Sequence, residues 1–356
     1  SAVAVQPYGC YDIDECALGT ATCGPNGGCV NTPGGYDCEC DPGYVGDGFV
    51  CLDVDECVTG AFVCAPGLIC VNTIGAYTCG CAPGYEYQAP VVAWGNDDYG
   101  QATPPPGLTH VAEIQSSNWH SLALLQDGGV VAWGRNNEGQ SSVPSSLQPA
   151  TAISAGGYHS IVRQANGTYV AFGRNAEGQR TLPAGASFYP ELDAGGYFTV
   201  GRTAAGGVIA FGDNAYGESS EPTLTNIRDV EAGGWHALAI RTNDTVAAWG
   251  RNDYGQTVLP AGLTNVSRVS AGGWHNLAVR HDGSVVAWGR SDWGQIAVPA
   301  GLSGVIAVGV GHGHSVALKS DGTVVAWGLN DDGQATVPAG LVGVTAIAVG
   351  SRHTVA

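Results

Sequence analysis

The sequence has no methionine and only one lysine, Lys319, in 356 residues. Without an initiator methionine, Ser1 is not read as a translation start, and the chain reads as a processed product or a piece of a longer one. Basic residues are few: 13 Lys and Arg stand against 31 Asp and Glu, a formal net charge of −18. That imbalance excludes nucleic acid and anionic membrane as partners, because both need a basic footprint. Charge of either sign is thin, at 12% of residues, while 44% are hydrophobic, which is not the composition of a disordered acidic chain. No apolar run approaches the ~18 residues of a membrane helix, so no span is expected.

Two further absences divide the chain. All 12 cysteines lie between Cys10 and Cys81, and residues 1–90 hold 11 acids but no Lys, Arg or His. The remainder holds 20 acids and 13 bases. A domain boundary is expected at this break. Residues 12–51 and 53–81 repeat one scheme, with Asp-x-Asp-Glu-Cys at its start and Cys-x-Asn-Thr-x-Gly-x-Tyr-x-Cys-x-Cys at its heart. Neither stretch has the apolar residues for a core, so disulfides must replace it, which requires an oxidising compartment. Zinc is the weaker reading of the cysteines, since no His accompanies them.

These motifs resemble tandem calcium-binding EGF-like modules. The resemblance divides the front into the tail of a preceding module (1–11), module one (12–52) and module two (53–88), ahead of a last domain at 89–356. It implies the pairs Cys16–Cys29, Cys23–Cys38, Cys40–Cys51, Cys57–Cys70 and Cys64–Cys79. It also implies two calcium sets. One is Asp12, Glu15 and Asn31 with the carbonyls of Ile13, Thr32 and Gly35; the other is Asp53, Glu56 and Asn72 with those of Val54, Thr73 and Ala76. Mixed carboxylate and carbonyl oxygens are what this hard cation takes, and calcium between modules is expected to stiffen the pair into a rod. Cys10 and Cys81 are left over, because module two lacks its sixth cysteine. Three arrangements stay open. Cys10 pairs upstream, or with Cys81 of the same chain, or with Cys81 of a neighbouring copy, which would build head-to-tail polymers.

From residue 91 a strand ending in Trp-Gly or Phe-Gly recurs, with its aromatic at Trp94, Trp133, Phe172, Phe211, Trp249, Trp288 and Trp327, spaced 39, 39, 39, 38, 39 and 39. A fixed period of this length means a solenoid, array or propeller. Within a unit, alternating apolar strands flank Asp-Gly or Asn-Gly turns, a strong hairpin signal. Four strands per unit and seven units predict an all-β propeller. The last unit stops at His353–Ala356 and the first begins at Val91–Trp94, so each end supplies what the other lacks and closes the ring. The Trp-Gly, Gly-Gln, Gly-Gly-aromatic-His and Asp-Gly elements resemble the regulator of chromosome condensation repeat family of seven-bladed propellers. Their compact form is similar to secreted bacterial versions, among them a propeller that inhibits β-lactamases by covering them.

Three columns could carry function. His120, His159, His236, His275, His314 and His353 recur at one place, with Phe198 in the seventh unit, and read as framework rather than metal ligands. The preceding position carries Trp119, Tyr158, Tyr197, Trp235 and Trp274, an expected partner- or glycan-binding face, since clustered Trp and Tyr mark interfaces. Arg135, Arg174, Arg251 and Arg290 follow the Trp-Gly or Phe-Gly and read as a solvated rim paired with Glu138, Glu177 and Asp253. Sequons at Asn166, Asn243 and Asn265 predict N-glycosylation. No catalytic motif emerges, so no enzyme is expected. The expected protein is a secreted, non-enzymatic glycoprotein that binds calcium and meets other copies of itself or other extracellular proteins. It would serve as a structural subunit of a fibre, a flagellar-hair-like appendage or a matrix; the alternative is an inhibitor propeller covering a partner.

Overall fold

The computed structural model describes residues 14–59, 69–80, 90–183, 189–220 and 222–356. Cys10, Asp12, Ile13, Cys64 and Cys81 lie outside these, and with them the Cys64–Cys79 pair and any pairing of Cys10. The chain separates into two compact units, residues 1–88 and 89–356.

The first unit is built from short antiparallel hairpins. Gly27–Thr32 pairs with Gly35–Cys40, Tyr44–Gly46 with Cys51–Asp53, and Ile69–Thr73 with Ala76–Gly80. A single helical turn, Glu56–Thr59, starts the second module. Among the described residues of this unit the one buried apolar side chain is Cys38, whereas Leu18, Val45, Phe49, Val50, Leu52 and Val58 are exposed. Covalent cross-links stand in for the missing core. Cys16–Cys29, Cys23–Cys38, Cys40–Cys51 and Cys57–Cys70 are bonded, with Cα atoms 5.5–5.7 Å apart. These are four of the five pairs the EGF resemblance implies. The modules also touch: the Val54 amide donates to the Gly43 carbonyl at 3.0 Å, and the Tyr44 ring lies against Gly75.

The second unit is a seven-bladed propeller of three-stranded antiparallel sheets. In one blade the strands are Val111–Ser116, His120–Leu125 and Val130–Gly134. The inner strands of the following blades are Ala150–Ala155, Glu191–Ala194, Ile227–Ala232, Val266–Ala271, Val305–Val310 and Ala348–Val349. The fourth strand expected per unit is absent among the described residues. The segments around Pro144, Pro260, Pro299 and Pro338 form turns instead, because a proline has no N–H for a ladder. The core lies between blades: Leu122 and Leu124 of one sheet pack on Ile153, Val162 and Phe172 of the next. The ring closes where Ala93–Gly95 pairs with His353–Val355, Trp94 opposite Thr354, and Val92 and Ala356 exchange backbone hydrogen bonds of 2.9 and 2.8 Å. Both chain ends of the propeller thus share one sheet, which removes two open edges.

Candidate functional site

The second calcium set lies around the junction of the modules. Asp53 accepts hydrogen bonds from the Asn72 amide nitrogen at 2.8 Å and from the Gly75 backbone N–H. Asn72, Thr73 and Ala76 sit at the tip of one hairpin, where the Thr73 hydroxyl donates to the Ala76 carbonyl at 2.8 Å. Glu56 is buried although its unit has almost no core. In the first module Glu15 Oε2 is buried and accepts no hydrogen bond among the described residues. Asn31, Thr32 and Gly35 share the neighbouring hairpin. Among the described residues no three Asp, Glu, His or Cys side chains cluster as a metal site. The sets here hold at most two carboxylates each, with amide and carbonyl oxygens making up the rest, so the donor chemistry suits calcium. Asp53, Glu56 and Asn72, with the carbonyls of Val54, Thr73 and Ala76, would hold it.

The histidine column forms a relay around the ring. Nε2 of His120 meets Ser160 Oγ of the next blade at 2.8 Å, His159 meets Thr199 at 3.0 Å, His236 meets Asn276 at 2.6 Å and His275 meets Ser315 at 2.8 Å. His314 meets Thr354 at 3.1 Å, and His353 meets Ser121 at 3.0 Å across the closure. Ser160, Thr199, Asn276 and Ser315 donate onward to the carbonyls of Gln140, Gln179, Gln256 and Gln295. Their donor capacity on that side is spent, so Nε2 carries the proton and Nδ1 is left a bare acceptor, unpartnered in all six rings. Burial pushes these imidazoles down, His236 to about 4 and the other five to about 3. They are neutral framework residues.

The aromatic and arginine columns form one surface: the expected pairs of Arg174 with Glu138 and Glu177 and of Arg251 with Asp253 are present, and the guanidinium groups also lie over rings. Arg135 lies 5.4 Å over the Tyr99 ring and 5.3 Å over Tyr158, and Arg174 lies 5.5 Å over Tyr197. Arg251 sits 4.3 Å over Tyr216, 5.5 Å over Trp235 and 4.6 Å over Trp274. Arg290 sits 4.7 Å over Tyr254 and 4.1 Å over Trp293. The rings also meet each other: Tyr99 edges onto Trp119 at 5.8 Å, Tyr158 stacks on Tyr197 at 4.9 Å, and Trp235 meets Trp274 at 5.0 Å. Acids fix the guanidinium groups from the other side, through Arg174–Glu177, Arg251–Asp253 at 2.6 Å and Arg290–Asp292 at 2.6 Å. The five expected aromatics are therefore half-buried. Tyr99, Tyr216, Tyr254 and Trp293 are a second aromatic column that the reading of the sequence missed. The signal was present, since each lies five residues after a strand-ending Trp or Phe. An ordered belt of rings and guanidinium groups loses little side-chain freedom on meeting a partner.

Asn166, Asn243 and Asn265 are all exposed. The first two stand in the turns between paired strands, and the Thr168 and Thr245 hydroxyls each donate to the sequon asparagine at 2.7 Å. No helix among the described residues is long and apolar enough to cross a membrane.

These features define an all-β protein of disulfide-bonded EGF modules and a repeat propeller, and the comparisons give its classes. The calcium-binding EGF domain matches residues 12–51 and 53–95. The regulator of chromosome condensation (RCC1) repeat matches 111–140, 227–256, 266–295 and 305–334. The chain carries both kinds of module. Over 39 residues it is 56% identical to the human multiple epidermal growth factor-like domains protein 8, covering 11% of the chain and 1% of that protein. Over 35 residues it is 57% identical to mouse nidogen-2, covering 10% and 2%. The chain thus spans only 1–2% of the length of these relatives. Prp20p of Saccharomyces cerevisiae shares the fold with a TM-score of 0.64 and 16% identity, over 74% of this chain and 90% of that one. The EGF likeness and the disulfides are compatible with an extracellular structural or binding role.

Proposed function

We propose that the protein is a secreted, non-enzymatic glycoprotein that builds an extracellular fibre, a flagellar-hair-like surface appendage or a matrix. The observation that carries this reading is the pair of EGF modules joined without a linker. Tyr44 of one lies on Gly75 of the other, and Asp53 is tied to Asn72 and Gly75. Calcium held by Asp53, Glu56 and Asn72 would lock that junction, and by Asp12, Glu15 and Asn31 the entry to module one. Cys10 and Cys81 offer a covalent link between copies, and the propeller offers faces for lateral contact. Negative-stain microscopy of native material tests this. Filaments that dissolve when chelator and reductant are added support it, and isolated particles in calcium contradict it.

The belt of rings and arginines favours a second reading, a propeller that covers a partner protein. On that reading Trp235→Ala with Trp274→Ala abolishes binding of a single soluble partner and leaves assembly in calcium unchanged.

A further inference from the structure

The propeller encloses a cavity of about 380 Å³ on its axis, walled by the inner strands of all seven blades and by the rings of Trp119, Tyr158, Tyr197 and Trp235. This lies at the small end of the ~300–1,000 Å³ of small-ligand sites. The wall is lopsided in charge. Asp193 and Glu231 line it on adjacent blades, with Glu191 and Asp229 two residues earlier on the same strands. Across the ring the lining is Val308, Gly309, Ile347 and Ala348, and the one ionisable side chain there is His312, which burial pushes down.

The acids outnumber the bases that meet them. Arg202 meets Glu191 at 3.5 Å, and Arg228 is drawn away to Asp244 at 3.3 Å. Asp193 is held in place by the Ser154 hydroxyl at 2.6 Å and the Ala232 amide at 2.7 Å. Glu231 accepts no hydrogen bond and makes no ion pair among the described residues. A half-buried carboxylate facing the channel without a partner is disfavoured unless it is protonated or paired.

We propose that this channel binds a ligand bearing a primary ammonium group on a short aliphatic stem, with the ammonium at Glu231 and Asp193 and the stem among the aromatic rings. The two carboxylates supply charge-assisted hydrogen bonds to the ammonium, and Trp235 with its neighbours supplies an apolar sleeve for the stem. A lysine side chain of a partner and a free polyamine share this chemistry. The site is independent of the assembly reading above.

Without a ligand the acids take up protons instead. Burial, together with Asp193, Asp229 and Glu191, pushes Glu231 well above the usual carboxylate range, with Arg268 opposing. Burial also raises Asp193, lifts Glu191 to about 8 and raises Glu113 on a nearby inner strand. An arriving ammonium therefore displaces protons into solution.

Calorimetric titration of the full chain at pH 7 with 1,5-diaminopentane tests this, with 1,5-pentanediol as the neutral twin and two buffers of different ionisation enthalpy. The diamine should bind with proton release and the diol should not. Glu231→Gln, which keeps the shape and removes the charge, should weaken binding at least tenfold and reduce the proton release. Trp235→Leu should weaken it without changing the proton count. Asp321→Asn, a distant surface acid, should bind as the unaltered chain does. Nα-acetyl-lysine amide as titrant separates the sources: binding points to a partner's lysine, and binding of the diamine alone points to a free polyamine. Binding of neither, or equal affinity in Glu231→Gln and the unaltered chain, overturns the proposal.

Discussion

Phe198 stands where six blades place a histidine, and Ala237 stands where the next blade would offer that histidine a hydroxyl or amide. Both are fully buried and pack in one cluster. The exchange is matched: an imidazole here would bury an N–H with no acceptor, and a serine here would meet a ring with nothing to give it. We expect Phe198→His to destabilise the propeller by about 2–4 kcal/mol through the orphaned donor and the lost packing. Adding Ala237→Ser should recover part of this, with a coupling of at least ~1 kcal/mol in a denaturation double-mutant cycle. The six histidines also set a pH dependence. Their folded pKa values lie below the unfolded 6.5, at about 3 to 4. Their stabilisation is therefore present above pH 6.5 and is lost as pH falls towards 4, by about 1.4 kcal/mol per pH unit for each ring. Glu191, raised to about 8, works the other way, since its folded form keeps a proton that the unfolded chain gives up above pH ~4.5. The raised Asp193 and Glu231 share that sense. Glu113 and Glu218, also raised by burial, bring the acids to five, and His312, lowered by burial, brings the rings to seven, so the melting temperature of the propeller should fall between pH 6.5 and 4.5, as calorimetric scans would show.

At the scale of the element, the Trp-Gly signature has a steric reason. Gly134 has φ +92, and a Cβ there would come within 2.6 Å of the Trp119 carbonyl, where the chain turns beside the histidine. Gly100 also has positive φ, +77, but open space around it. Gly134→Ala should therefore cost at least ~3 kcal/mol and Gly100→Ala only ~1, measured by urea unfolding. The periodic parts of this fold were legible because turn chemistry and side-chain alternation repeat every blade. Asp127, Asp282 and Asp321 each accept a backbone hydrogen bond two residues on, closing the hairpin that the Asp-Gly step announces. The closing strand was legible because the two ends complement each other. The supposed fourth strand was not ruled out, because a proline-containing segment can be an edge strand or a turn and only packing decides. Nor could residue spacing show the arginines leaning over the rings. Arg251 makes the ion pair with Asp253 that its sequence neighbours suggest, yet side-chain direction also places Arg135 and Arg251 between aromatics of successive blades, which spacing alone does not show. The channel acids Asp193 and Glu231 occupy the same place in adjacent blades, a signal that is visible in the sequence once the inner strands are aligned.

For the whole molecule, the charge of −18 has two homes. Part lies in the calcium-type modules, which have no basic residues, and part in the propeller, where 20 acids stand against 13 bases. Calcium should act on the first part alone. Binding to the folded modules raises their stability as RT ln(1 + [Ca²⁺]/Kd), so proteolysis within residues 12–88 should slow in calcium while cleavage of the propeller is unaffected. Replacing Asp53 by Asn should remove the protection around the second module and leave that around the first. The central claim, that the chain assembles through calcium-ordered EGF modules, is tested most directly by sedimentation velocity of native material in millimolar calcium, repeated after chelator and again after reductant. The account predicts large assemblies in calcium that shrink with chelator and fall to single chains once reductant is added. A single-chain sedimentation coefficient throughout, unchanged by calcium, would contradict it.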